Sequence, residues 1–293
     1  MHKVRILTGL IAASVAVLTL WLLQTPLLGV LLIFFSAIAA YEICHMAKIK
    51  NKPMIVAATV MAALMPPLVE YGLLSRLGLP VFPMVFGACL LMVVFMLARF
   101  KQTQFIHLLF ALLAGLVVPL AFAALVYFRD IFRDAGGVFI EQNLAVFFLF
   151  FSFCCAWLTD AFAFLCGVTL GKHKMCPNIS PKKTWEGAIG GVLGTTLANL
   201  GFAAMFNAFF LEHYRVNLPG VVILSIILCV VSMVGDLTAS TVKRNQGIKD
   251  FGKLFPGHGG VMDRFDSMAF VMPTLIALFQ LAESFGIPLW TII

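Results

Sequence analysis

Residues 219–240 read PGVVILSIILCVVSMVGDLTAS. Seventeen positions pass without a charge before a carboxylate, Asp236, interrupts the run near its end. About 20 apolar residues are what a helix needs to cross the roughly 30 Å hydrocarbon core of a bilayer. The pattern recurs along the chain. Apolar runs between charged or Pro/Gly breaks occupy 6–23, 27–46, 54–69, 81–98, 106–128, 144–166, 187–211, 219–240 and 267–285. Overall 62% of residues are hydrophobic and 11% are charged, against about 25% charged in soluble domains. The fold class read from this is all-α: a polytopic integral membrane protein of about nine transmembrane helices.

The first run follows Lys3 and Arg5 and has the outline of a signal peptide. Pro26 is followed at once by another long apolar run, so the pair reads instead as a helical hairpin. Nine spans place 16 of the Lys and Arg residues on one side and 4 on the other, which puts the N-terminus and the richest loops in the cytoplasm. Seven cysteines show no CxxC pairing. Cys166, His173 and Cys176 lack a fourth partner for a closed metal site, so they read as ordinary residues.

The two halves differ in content. Residues 1–143 hold little besides apolar helix and short loops, and read as packing, dimer or lipid-access helices. Residues 144–293 carry the unusual polar groups and read as the catalytic half. Asp160 and Asp236 sit in apolar runs, where a bare carboxylate costs on the order of 3 kcal/mol. On a helix Asp236, Ser240 and Lys243 share one face. Beyond them KRNQGIKDFGKLFPGHGGVMDRFDS holds Lys243, Arg244, Lys249, Lys253 and Arg264 beside Asp250, Asp263 and Asp266. Glycines 257, 259 and 260 permit close backbone approach to a ligand. Mutual salt-bridging explains any one of these pairs. Several cations beside carboxylates on different helices fit a polyphosphate site better, with carboxylates on a divalent metal and Lys/Arg on phosphate oxygens. A second basic loop, GKHKMCPNISPKKTWEG (171–187), adds Lys182 and Lys183, and a helix starts near Thr184. Gly187, Gly190, Gly191 and Gly194 then read as close helix packing.

The pattern SxxKRxxxxKDxxxxxPGHGGxxDRxD, matched from Ser240 to Asp266, resembles the signature of the phosphatidate cytidylyltransferases, also called CDP-diacylglycerol synthases. KVRILTGL near the N-terminus, Asp160 to Lys174 and ISPKKTWEG (179–187) match as well. The resemblance implies that CTP and phosphatidic acid give CDP-diacylglycerol and pyrophosphate. It implies catalytic roles for Asp160, Asp236, Lys243, Arg244, Asp263 and Arg264. Substrate contacts fall to Lys182, Lys183, Ser240, Lys249, Asp250, Gly257, His258, Gly259, Gly260 and Asp266. Asp236 and Asp263 are expected to meet across helix ends and hold Mg2+ in a two-cation site, the second cation being K+ or another Mg2+. One departure is Ala239, where many bacterial members carry an acidic residue; it puts a third acidic ligand on that helix in doubt.

The implied partners are CTP, phosphatidic acid and membrane lipid, with a homodimer and no nucleic acid, in a bacterial inner membrane, and the helix bundle is expected to hold a polar, cytoplasm-facing active-site cavity. Two rival classes fit the residues less well. A transporter would use Asp160 and Asp236 as ion-pathway residues, but the chain has no internal repeat and the PGHGG segment has no use there. A CDP-alcohol phosphotransferase needs an Asp-Gly start, and the chain contains no Asp-Gly dipeptide. A cytidylyltransferase for a different lipid phosphate remains the alternative within the class.

Overall fold

The computed structural model describes residues 25, 27–70, 81–132, 142–255 and 259–292. The first expected span, 6–23, with Lys3 and Arg5, lies outside the described residues. So do Gly257 and His258. The other eight apolar runs are helical: α1 (Leu27–Met46), α2 (Lys52–Glu70), α3 (Val81–Ala98), the pair α4 (Phe105–Leu112) and α5 (Val118–Asp130), α6 (Gln142–Thr169), α7 (Trp185–Phe209), α8 (Leu218–Asn245) and α9 (Met268–Ser284). Among the described residues five helical stretches are long and apolar enough to cross a membrane: α1, α4 through α5, α6, α7 and α8. Three shorter apolar helices lie within α2, α3 and α9.

In lipid every backbone amide must find its partner within the chain, which favours helices over open strands. Hydroxyls inside the helices do the same, donating to the preceding turn: Ser152 to the Leu149 carbonyl, Thr159 to Cys155, Thr238 to Val234. Large apolar side chains face outward along these helices, among them Phe34, Phe164, Leu197 and Ile223. That surface suits hydrocarbon and not water.

The chain forms two compact units. One holds residues 1–127 and 245–265, the other 128–244 and 266–293. In the first, α1 packs along α2, where Ser36 Oγ donates to the Ala62 carbonyl at 2.7 Å. A five-residue π segment, Leu113–Val117, joins α4 to α5. Its Gly115 lies so close to Ala58 that a β-carbon there would stand 3.2 Å from the Ala58 Cα. The Phe265 ring is 5.5 Å from that of Phe35 and 5.2 Å from that of Phe122. These contacts fasten the end of 245–265 to the N-terminal helices. Most of the signature segment, 245–265 of 240–266, thus groups with the N-terminal helices in this unit.

In the second unit α6 and α7 pack along their length. A β-carbon on Gly191 would fall 2.9 Å from the Thr159 carbonyl oxygen, and one on Gly194 would fall 2.7 Å from the Phe162 ring. These glycines are helix contacts, as their spacing suggests. Polar side chains cross the packed helices: Asn199 Nδ2 donates to Ser225 Oγ at 3.1 Å, and Ser232 Oγ to the Ala156 carbonyl at 3.3 Å. Rings of Phe128, Phe148, Phe279 and Trp290 form an aromatic cluster.

Two small antiparallel sheets join the helices, an addition to the all-α expectation. Strands β1 (Lys174–Cys176) and β2 (Ser180–Thr184) pair within the stretch read as a basic loop. Pro181 fits there because a two-stranded sheet is all edge, where a missing N–H costs little. Strands β3 (Tyr214–Val216) and β4 (Trp290–Ile292) form the other sheet.

Candidate active site

The second unit brings together most of the charged residues singled out from the sequence. Strand β2 ends at Thr184, whose Oγ1 accepts the Gly187 N–H at 3.1 Å and caps α7. The strand presents Lys182 and Lys183 to a small cavity of about 160 Å³, lined also by Asp160, Phe164, Met175, Gly187 and Met233. The Lys183 ammonium is paired with the Asp236 carboxylate of α8, both side chains being mostly buried. Glu186 anchors the other side of the hairpin, accepting the His173 N–H at 3.2 Å and lying 2.6 Å from its Nδ1.

Further along α8, Ser240 and Lys243 are half-buried with Asp236, and Lys243 Nζ lies 3.9 Å from Asp266 Oδ2. Arg244 Nε makes a long hydrogen bond, 3.5 Å, to the Ile179 carbonyl before β2. Asp266 is buried, and one oxygen accepts the Ser267 N–H at 2.8 Å. Burial pushes its carboxyl up to about 7, and the like charges of Asp236 and Asp160 push the same way. Lys243 and the Ser267 amide pull it back only in part. The three carboxylates act on one another as like charges although Asp160 is exposed, Asp236 half-buried and Asp266 buried.

The first unit organises the glycine-rich segment. A backbone hydrogen bond of 2.8 Å joins Phe255 N–H to the Gly259 carbonyl. Asp263 is buried, and its Oδ2 accepts three backbone N–H groups: Phe251 at 2.7 Å, Gly260 at 3.0 Å and Gly252 at 3.4 Å. Gly259 has φ +84°, and a β-carbon there would lie 2.6 Å from that same Asp263 oxygen. Gly260 has no room for a side chain either, because the Glu42 carboxylate fills the space. The neighbours of these two glycines are thus carboxylates of the protein itself. Arg264 follows in a single helical turn, Met262–Phe265. Lys249 and Asp250 are exposed and line a broad cavity of about 1030 Å³ with Tyr41, His45 and Lys48.

Glu42 is the residue that sequence reasoning passed over. It is buried in α1, and its two oxygens accept the N–H groups of Val261 at 3.1 Å and Met262 at 2.9 Å. The signal was available: a lone carboxylate in the apolar run 27–46 carries the same cost that drew attention to Asp160 and Asp236.

Within the second unit the carboxylates of Asp160, Asp236 and Asp266 suit a hard cation, since they offer oxygens only. Among the described residues no group of three or more His, Cys, Asp or Glu side chains could hold a metal ion by itself. Mg2+ needs no such cage, because it takes one or two carboxylates and completes its shell with substrate phosphates and water. The residues present fit that mode of binding.

A family model described as the cytidylyltransferase family matches residues 3–282. The chain belongs to the cytidylyltransferase family. Relatives include the phosphatidate cytidylyltransferase of Bacillus subtilis (strain 168), 29% identical over 283 residues, covering 95% of this chain and 98% of the relative. That of Staphylococcus haemolyticus (strain JCSC1435) is 32% identical over 95% of this chain and 100% of its own. That of Staphylococcus aureus (strain COL) is 31% identical over 93% and 97%. The cytidylyltransferase match runs across both compact units, so Glu42 lies within it as surely as Asp263 does.

Proposed function

We propose that this chain transfers the cytidylyl group of CTP to phosphatidic acid, giving CDP-diacylglycerol and pyrophosphate in phospholipid synthesis. Family membership supplies the reaction class and the full-length relatives named phosphatidate cytidylyltransferase supply the substrate. The observation that carries it is the grouping of Asp160, Lys182 and Lys183 around one cavity, with Asp236 paired to Lys183.

A phosphatidate oxygen attacks the α-phosphorus of CTP, and the bond to the β-phosphate oxygen breaks to release pyrophosphate. The attacking phosphate is ionised near pH 7, its second pKa being about 6, so no general base is required. The work is to bring two anions together and offset charge on the leaving group. Lys182, Lys183, Lys243, Arg244, Lys249 and Arg264 are the proposed phosphate partners, with Ser240, Asp250, His258 and the glycines shaping the site. Asp236 and Asp263 are the proposed Mg2+ ligands, and bound Mg2+ would offset charge on the triphosphate and on departing pyrophosphate. A second cation, K+ or Mg2+, belongs to the same proposal.

The finer architecture is proposed on the same footing: about nine spans, a cavity open to the cytoplasm, a bacterial inner membrane and a homodimer. The charge asymmetry supports the orientation. The test uses protein purified in detergent, given phosphatidic acid, labelled CTP and Mg2+. Labelled CDP-diacylglycerol is expected, and EDTA should abolish it. Product from another lipid phosphate but none from phosphatidate would reassign the acceptor.

A further inference from the structure

We propose that Glu42 is a positioning residue for the reaction, one that sets the carboxylate of Asp263 through the backbone. The proposal rests on the cytidylyltransferase reading and adds a role for a residue outside the signature. Three successive amides, 260, 261 and 262, all point at side-chain carboxylates. Gly260 N–H goes to Asp263, while Val261 and Met262 N–H go to Glu42. Glu42 therefore holds the two residues that lead into Asp263. Asp263 in turn gathers Phe251 and Gly252, which ties 251–252 to 260–263 by hydrogen bonds.

The fit is exclusive. A β-carbon at either Gly252 or Gly260 would strike the Glu42 carboxylate, so both glycines leave room for this side chain. Glu42 is 6% exposed and is reached from 219 and 220 positions away in sequence, a cross-link that local loop geometry does not supply. Both of its oxygens are used, so the amide isostere is not equivalent. Glu42→Gln keeps one acceptor and turns an NH2 donor towards a backbone N–H.

The test reads amide exchange and Mg2+ requirement in full-length protein in detergent. Hydrogen exchange of the 251–263 backbone is followed without Mg2+, and the Mg2+ concentration for half-maximal turnover is measured separately. Glu42→Gln should speed exchange in 259–263 at least tenfold and raise the Mg2+ requirement at least tenfold, with KM for phosphatidate unchanged. Glu42→Asp, one methylene shorter, should act in the same direction and serves should the amide variant not fold. Ser36→Ala is the control, because it removes another buried hydrogen bond of α1 and should lower the melting temperature without either effect. Wild-type exchange and Mg2+ requirement in both Glu42 variants would overturn the proposal, as would equal changes in Ser36→Ala. Wild-type protein that fails to convert CTP and phosphatidate overturns the functional reading instead, and the exchange result still decides the role of Glu42.

Discussion

The ammonium of Lys183, on the last strand before α7, is paired with the carboxylate of Asp236 inside α8. One partner comes from a basic segment of a kind that anionic headgroups attract, the other from an apolar helix. If the pair serves only the fold, reversing it should be harmless. We expect Lys183→Gln to lower turnover by about 10²-fold, the scale of losing one preorganised charge. Lys183→Asp combined with Asp236→Lys should regain melting temperature but not activity. Recovery of turnover in the swapped protein would make the pair structural.

Asp263 accepts three backbone N–H groups on one oxygen, so its charge and its hydrogen bonds can be separated. Asp263→Asn keeps an acceptor oxygen and should fold with little change in melting, while turnover falls by at least about 10²-fold. Asp263→Ala strands buried donors and should cost a further 1–3 kcal/mol, roughly the penalty for an unsatisfied buried group. Calorimetry and radiolabelled-CTP turnover on both variants check this.

Asp266 gives the chain a pH-dependent stability. Its folded pKa of about 7 stands above the ordinary 3.8, so the fold favours the protonated acid. Stability from this group is complete below pH 4 and is lost as pH rises through 7. In EDTA, the melting temperature should fall from pH 4 to 7 more steeply for wild type than for Asp266→Asn. Asp236→Asn, by removing a like charge, should move the decline towards lower pH. A parallel decline in wild type and Asp266→Asn would refute the assignment.

Gly259 and Gly247 both have positive φ, +84° and +67°, but only Gly259 lies against a functional carboxylate. Alanine at Gly247 meets nothing within 4 Å and should show backbone strain alone, about 1–2 kcal/mol. Gly259→Ala carries similar strain and also displaces Asp263, so its turnover should drop at least tenfold below that of Gly247→Ala. Comparing turnover of the two at equal folded fraction tests this.

The membrane helices were legible because lipid makes a single demand on sequence, a long run without charge. Asp160, Asp236 and the Lys182–Lys183 pair were legible for the complementary reason: charge inside or beside such runs needs a use. What escaped was set by tertiary contact. Glu42 carries the same cost as Asp236, yet its partners are backbone amides some 220 positions away, and amides have no sequence signature. The glycines of PGHGG announced close approach but not what approaches. Gly259 and Gly260 proved to face Asp263 and Glu42. Pro181 suggested a break, and a two-stranded edge accommodated it as strand.

The carboxylates on amides 260–262 have a consequence for how an anionic substrate is held. Backbone N–H groups that converge on one spot commonly bind phosphate as fixed dipoles, largely indifferent to dissolved ions. Here those three amides are already taken. The lysine and arginine charges proposed to attract the triphosphate are instead screened within about 8 Å at physiological ionic strength. Raising choline chloride at fixed K+ and Mg2+ should therefore weaken CTP capture steeply while leaving the maximal rate at saturating CTP nearly constant, so that the enzyme's appetite for nucleotide follows the salinity of the surrounding solution.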